Sequence, residues 1–135
     1  MKIPVRWGDV DMLGHVNNVQ FFRFAESARI EYFEALVGND PDFWKTWGFI
    51  LASIGCDFLA QLHYPAELEV GTRVARIGRT SMQLEHGMFY GDQAVARVQA
   101  VLVWFDYIEQ RPMEVPERAR RFIREIENGQ VEESS

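Results

Sequence analysis

The chain has 135 residues, the length of one domain, and a compact fold of that size has roughly 7,300 Å² of surface against about 22,800 Å² when extended. With 47% hydrophobic and 25% charged residues it has a globular balance, which excludes collagen-like and wholly disordered chains. Fourteen Lys+Arg against twenty Asp+Glu give a net charge of −6 without a basic run, so nucleic acid and anionic membrane are not expected partners.

Ile3 to Trp7 is a short strand candidate, and Gly8 to Gly14 is a polar loop punctuated by glycine. Asn18 to Val37 has helical spacing and a length of about 30 Å, with Asn17 or Asn18 available as N-cap and Gly38 as the stop. Its apolar residues form two stripes. Phe21, Phe24, Ala25, Ala28, Tyr32, Ala35 and Leu36 make one, and Val19, Phe22, Ile30, Phe33 and Val37 the other, which predicts a helix covered on more than one side. A short helix is expected around Pro41 to Trp47. The period then changes to 2, giving strands at Phe49–Tyr64, Leu68–Ile77, Met82–Tyr90 and Ala94–Phe105. The last of these puts Ala94, Ala96, Val98, Ala100, Leu102 and Trp104 on one face, where three alanines leave room for the aromatic helix. Pro116 opens a final helix with Ala119, Phe122, Ile123 and Ile126 on one face, closed by Asn128-Gly129. One strand, a long helix and then four strands without long intervening helices predict an α+β meander, not a parallel βαβ sheet. Residues 1–129 form the domain, and 130–135 are expected to be a flexible acidic tail.

The single cysteine, Cys56, excludes an internal disulfide and a cysteine-based zinc site, and its strand position points to a packed thiol. Without a leader-like apolar run near Met1 or a stretch of 18 apolar residues, the expected compartment is the cytoplasm. His86, between Leu84 and Met88, is expected to be packed, and His63 to lie on the surface at a strand end.

Polar residues concentrate in Asp9-Val10-Asp11-Met12-Leu13-Gly14-His15-Val16-Asn17-Asn18, just before the long helix. A helix start offers unpaired N–H groups and about half a positive charge, suited to a developing oxyanion, and a nearby carboxylate supplies a base or nucleophile. The competing reading is that Asp and Asn before a helix are caps and Asx turns. A calcium loop fails because Leu13 and Gln20 stand where carboxylates would be needed.

The run Val5 to Asn18, continuing into Phe21-Phe22-Arg23-Phe24 and Glu26-Ser27-Ala28-Arg29, resembles the opening of the 4-hydroxybenzoyl-CoA thioesterase family of hotdog-fold acyl-CoA thioesterases. Tyr64-Pro65, Arg79-Thr80-Ser81, Pro112 and Pro116 extend the resemblance over nearly the whole chain. It implies a five-stranded antiparallel sheet wrapped around one long helix, an acyl-CoA substrate, no cofactor, and a homodimer or a tetramer built from dimers. It further implies that Asp11 is the general base or nucleophile, that the Asn18 backbone N–H holds the thioester oxygen, and that His15 orients. Asn17 belongs to the same His-x-Asn motif, and Arg79 with Ser81 falls where members bind CoA. A non-catalytic acyl-CoA-binding hotdog module is the alternative.

Overall fold

The computed structural model describes residues 1–38 and 43–134. The chain runs β1 (Lys2–Pro4), a short 3-10 helix (Trp7–Asp9), α1 (Asn18–Val37), α2 (Phe43–Thr46), β2 (Trp47–Phe58), β3 (Glu67–Ile77), β4 (Ser81–Tyr90), β5 (Gln93–Asp106), β6 (Arg111–Pro112), α3 (Glu117–Ile126) and β7 (Glu132–Glu133). The sheet order is β1-β3-β4-β5-β2, with β6 on β5 and β7 on β3. This is the α+β antiparallel sheet with one long helix that the sequence predicts. The first strand is shorter than expected because Trp7 to Asp9 turn into the 3-10 helix. There Asp9 is buried and accepts Arg6 N (2.8 Å) and Arg6 Nη2 (3.0 Å), which gives it a turn role. The strand expected to run to Tyr64 ends at Phe58. Pro41 and Asp42, in the expected short helix, lie outside the described residues.

Contacts divide the chain into two compact units. The first comprises Met1–Tyr32, Gly55–Thr72 and His86–Gln99. In it β1 pairs antiparallel with β3, Lys2 opposite Glu69 and Pro4 opposite Glu67. Phe21, Phe24, Ala25 and Ala28 of α1 are buried, and the Phe21 ring meets Phe58 edge-on at 5.5 Å. One helical stripe is therefore core. The second is covered only in part: Phe33 is fully buried and Phe22 half-buried, but Val19 is 58% and Ile30 53% exposed. Ala94 is also exposed, and Val95 is buried in its place. Leu59 N and Ala60 N both donate to Val95 O, a two-to-one arrangement like a β-bulge with its extra residue on the Leu59–Ala60 side, while Ala96, Val98, Ala100, Leu102 and Trp104 keep the predicted buried face.

The same unit buries a polar group of its own. His86 is fully buried as predicted, with Nδ1 2.9 Å from the Thr72 hydroxyl and Nε2 unpartnered among the described residues. Arg29 is 7% exposed and its Nη1 has no partner among them either. Burial, reinforced by the Arg29 charge, pushes the His86 imidazole down to about 4. Between about pH 6.5 and 4 the unfolded chain therefore takes up a proton that the folded one refuses, so stability falls as pH falls through that window, by up to about 3 kcal/mol. Urea unfolding at several pH values should show this loss in the wild type and a flatter curve in His86→Leu; equal slopes would contradict the assignment.

The second unit comprises Phe33–Ile54, Arg73–Glu85 and Ala100–Ser135. Its core is aromatic: Phe33 of α1, fully buried, lies 5.0 Å from the Phe49 ring, which meets Trp104 at 5.8 Å. Gly38 takes a positive φ of 58° as the helix stop, and Arg118 Nη2 donates to Leu36 O at the same end (2.9 Å). Ala119 and Ile123 of α3 are buried, whereas Ile126 is exposed at the last turn. The sequence leaves 130–135 as a flexible tail; here Glu132 and Glu133 pair in parallel with Arg76 and Ile77, and Arg124 Nε donates to Glu133 Oε2 at 2.7 Å. Backbone pairing plus a doubly held carboxylate offsets the entropy that a polar terminus would otherwise keep.

Candidate functional site

Residues 10–16 of the first unit form a tight turn with Val10 bridged to Val16. Asp11 N donates to His15 O (2.8 Å), and Gly14 N to Asp11 O (3.0 Å). The Asp11 carboxylate closes the turn: its Oδ1 accepts Leu13 N at 2.9 Å and His15 N at 3.3 Å. This is the Asx turn of the competing reading. It does not exhaust the group, because Oδ2 makes no hydrogen bond among the described residues and the side chain is exposed. One oxygen folds the loop and the other remains available to a ligand. Gly14, at φ 79°, provides the left-handed step that lets the chain reverse.

Two bonds carry the turn into α1. Asn17 N donates to Asp9 O, and Asn17 Oδ1 accepts Val19 N at 3.0 Å, which settles Asn17 over Asn18 as the N-cap. Gln20 N bonds Asn17 O, so the Asn18 N–H takes part in none of the hydrogen bonds described at this helix start. It sits where the positive end of the helix dipole is strongest.

Asp11, His15 and Asn18 together line a pocket of about 460 Å³, a size suited to a small ligand. Its other walls are Val16, Phe21 and the segment Phe58 to Leu62. Val16 N donates to Leu62 O (2.7 Å), fixing the loop to that segment. Immediately after it, His63 Nδ1–H donates to Gly14 O (3.2 Å), and its ring meets His15 edge-on with centroids 4.9 Å apart. Sequence reasoning left His63 on the surface and assigned it nothing. No local signal could have singled it out, because it lies 49 residues from Gly14 and only the fold brings the two together.

Arg79 and Ser81, the other predicted site residues, belong to the second unit and are not among the walls of this pocket. Ser81 O accepts Gly78 N across a tight turn, and exposed Arg79 has Glu114 at 3.6 Å. Arg79, but not Ser81, lines a groove of about 570 Å³ together with Glu114, Glu117, Arg120, Arg124, Glu133 and Ser134, in which cations and carboxylates balance. Cys56 is half-buried, and burial with the neighbouring Asp57 pushes its thiol up, away from a reactive thiolate. Among the described residues no group of three or more His, Cys, Asp or Glu could hold a metal ion, and no helix is long and apolar enough to cross a membrane.

Comparison with known proteins gives a consistent picture. The model of the thioesterase-like superfamily matches residues 5–123. A thioesterase from Thermus thermophilus, solved with coenzyme A and zinc, is 34% identical and superposes with a TM-score of 0.82 over 94% of this chain and 93% of its own. The uncharacterised protein YsmA of Bacillus subtilis is 35% identical over 85 residues, 63% of this chain and 56% of that protein. A chloroplastic acyl-acyl carrier protein thioesterase of Arabidopsis thaliana is 23% identical over 91% of this chain and 66% of its own. The chain thus spans less than two-thirds of the length of these two curated relatives.

Proposed function

The chain belongs to the thioesterase-like superfamily, and from that premise we propose that it hydrolyses the thioester of an acyl-CoA to the free acid and CoA. The observation that carries this reading is the convergence of Asp11, with one carboxylate oxygen free, and the Asn18 helix start on a single pocket. Asp11 Oδ2 takes a proton from water as it attacks the thioester carbonyl, or attacks that carbon itself to form an anhydride that water then opens. In either course negative charge builds on the carbonyl oxygen, and the Asn18 N–H at the positive end of α1 stabilises it. Collapse expels the CoA sulfur, whose pKa near 8–9 lets it leave as thiolate without a strong acid. His15 therefore orients the loop or substrate. The coenzyme A held by the Thermus relative supports CoA as the carrier, with exposed Arg79 proposed for its phosphates and Ser81 beside it. A panel of acyl-CoAs assayed for thiol release tests the reading. Release from at least one is expected, and tight binding of acyl-CoA with no release would instead indicate a binding module.

Assembly is part of the same proposal: a homodimer, or a tetramer of dimers. The single chain exposes 8187 Å², against roughly 7,300 Å² for a compact monomer of its mass. The twelve-residue strand β2 ends the sheet order with Ile50, Leu51 and Phe58 all at least 40% exposed, the kind of edge a stable protein covers. Trp7, Met12 and Leu13, around the Asp11 turn, are exposed as well. Light scattering should give at least twice the chain mass of 15.7 kDa, and a value of 15.7 kDa under assay conditions would refute it.

A further inference from the structure

The tip of the turn that presents Asp11 has no buried residue to hold it in place; the packed residue, Val16, lies at its base. Asp11, Met12, Leu13 and Gly14 are all exposed, with Leu13 at 78%, and most of the turn's hydrogen bonds close on the turn itself. Such a turn can keep its internal shape and still swing as a body. What ties it down is backbone on both sides, Asn17 N on Asp9 O, Val16 N on Leu62 O and a β-bridge between His15 and His63, and then the side chain of His63, which bonds Gly14 O and lays its ring against the His15 imidazole. We propose that His63 is a positioning residue, which anchors the Asp11–His15 turn to the wall of the pocket so that Asp11 Oδ2 and the Asn18 N–H address the same carbonyl.

A carbonyl oxygen only accepts, so His63 must carry its proton on Nδ1, which leaves Nε2 as the bare nitrogen of the neutral ring. This inference rests on the thioesterase reading for its kinetic consequence and on the loop geometry alone for its structural one. Two substitutions separate the two contacts of the side chain. His63→Asn keeps a donor near the place of Nδ1 but loses the ring; His63→Phe keeps a ring against His15 but loses the donor.

With the best acyl-CoA, His63→Phe should lower kcat by about 10–100-fold, because a reacting group displaced by an ångström costs on that order, while KM should change by less than about threefold. His63→Asn should recover most of the loss. Comparable kcat in wild type and His63→Phe, or an Asn variant as slow as Phe, would overturn the proposal. Two measurements need no turnover. Long-range proton–nitrogen correlation on the wild type near pH 8 should show His63 as the Nδ1–H tautomer, and the Gly14 amide should exchange faster in His63→Phe than in wild type or His63→Asn. An Nε2–H tautomer, or unchanged exchange, would overturn the anchoring. A wild type that releases no thiol from any acyl-CoA would overturn the thioesterase reading instead, while the tautomer and exchange would still decide on the anchor.

Discussion

Asp11→Asn is expected to lower kcat for thiol release by about 10²–10⁴-fold if the carboxylate is the base, and further if it is the nucleophile, with KM changed much less. The structure makes this an unusually clean substitution. Asn keeps an oxygen where Oδ1 accepts Leu13 N and His15 N, so the turn survives, while the free Oδ2 becomes an amide that can neither take a proton nor attack. Asp11→Ala would confound the two, because it removes the turn bonds along with the base. Asp9→Asn should act differently: Asp9 is buried against Arg6, so its loss falls on folding more than on kcat. His15→Ala should lie between, since it removes orientation but not the base. Thiol release at saturating substrate, beside circular dichroism, checks all three. A folded Asp11→Asn protein with wild-type kcat would end the assignment of Asp11.

The second large effect is on stability. Phe33→Ala should cost about 3–5 kcal/mol, a large share of the roughly 5–15 kcal/mol that holds a domain of this size together. Phe33 is fully buried, and its ring touches Phe49, which in turn meets the edge of Trp104. Removing it leaves a cavity bounded by rigid rings that cannot collapse into it, which sets the cost at the upper end. Phe33→Leu should cost less, because it refills much of the volume. Urea unfolding of the three proteins decides the point; an Ala variant within 1 kcal/mol, roughly the cost of a surface change, would mean that Phe33 does not seal this core.

The elements were legible because their signals are local. Asn18–Val37 and its Gly38 stop follow from spacing and a helix terminator, and the strands β3 to β5 from alternation that one buried face enforces. What failed was non-local. Nothing near Val19 or Ile30 says that they stay exposed, and nothing near Ala94 announces that it is exposed while Val95 is buried where Leu59 and Ala60 both bond it. The end of β2 at Phe58 was hidden because the apolar alternation runs on through Leu62 where the pairing becomes irregular. The loop of the candidate site was legible as a polar cluster before a helix start, a pattern that caps and Asx turns produce as readily as a site. Its anchoring by His63 was not, because contact across 49 residues is a property of topology.

The double duty of Asp11 also bears on how such a chain can drift. Because the same carboxylate folds the turn and is left with one oxygen for chemistry, most replacements lose shape and reactivity in a single step. Asn is the exception, since it would silence the proposed base and spare the turn. A descendant that abandoned hydrolysis but kept the pocket as a receptor for acyl groups has one short route open, and it leads through a single nucleotide change, from an Asp codon to an Asn codon. Catalyst and receptor are then neighbours in sequence space, separated by one atom in one side chain.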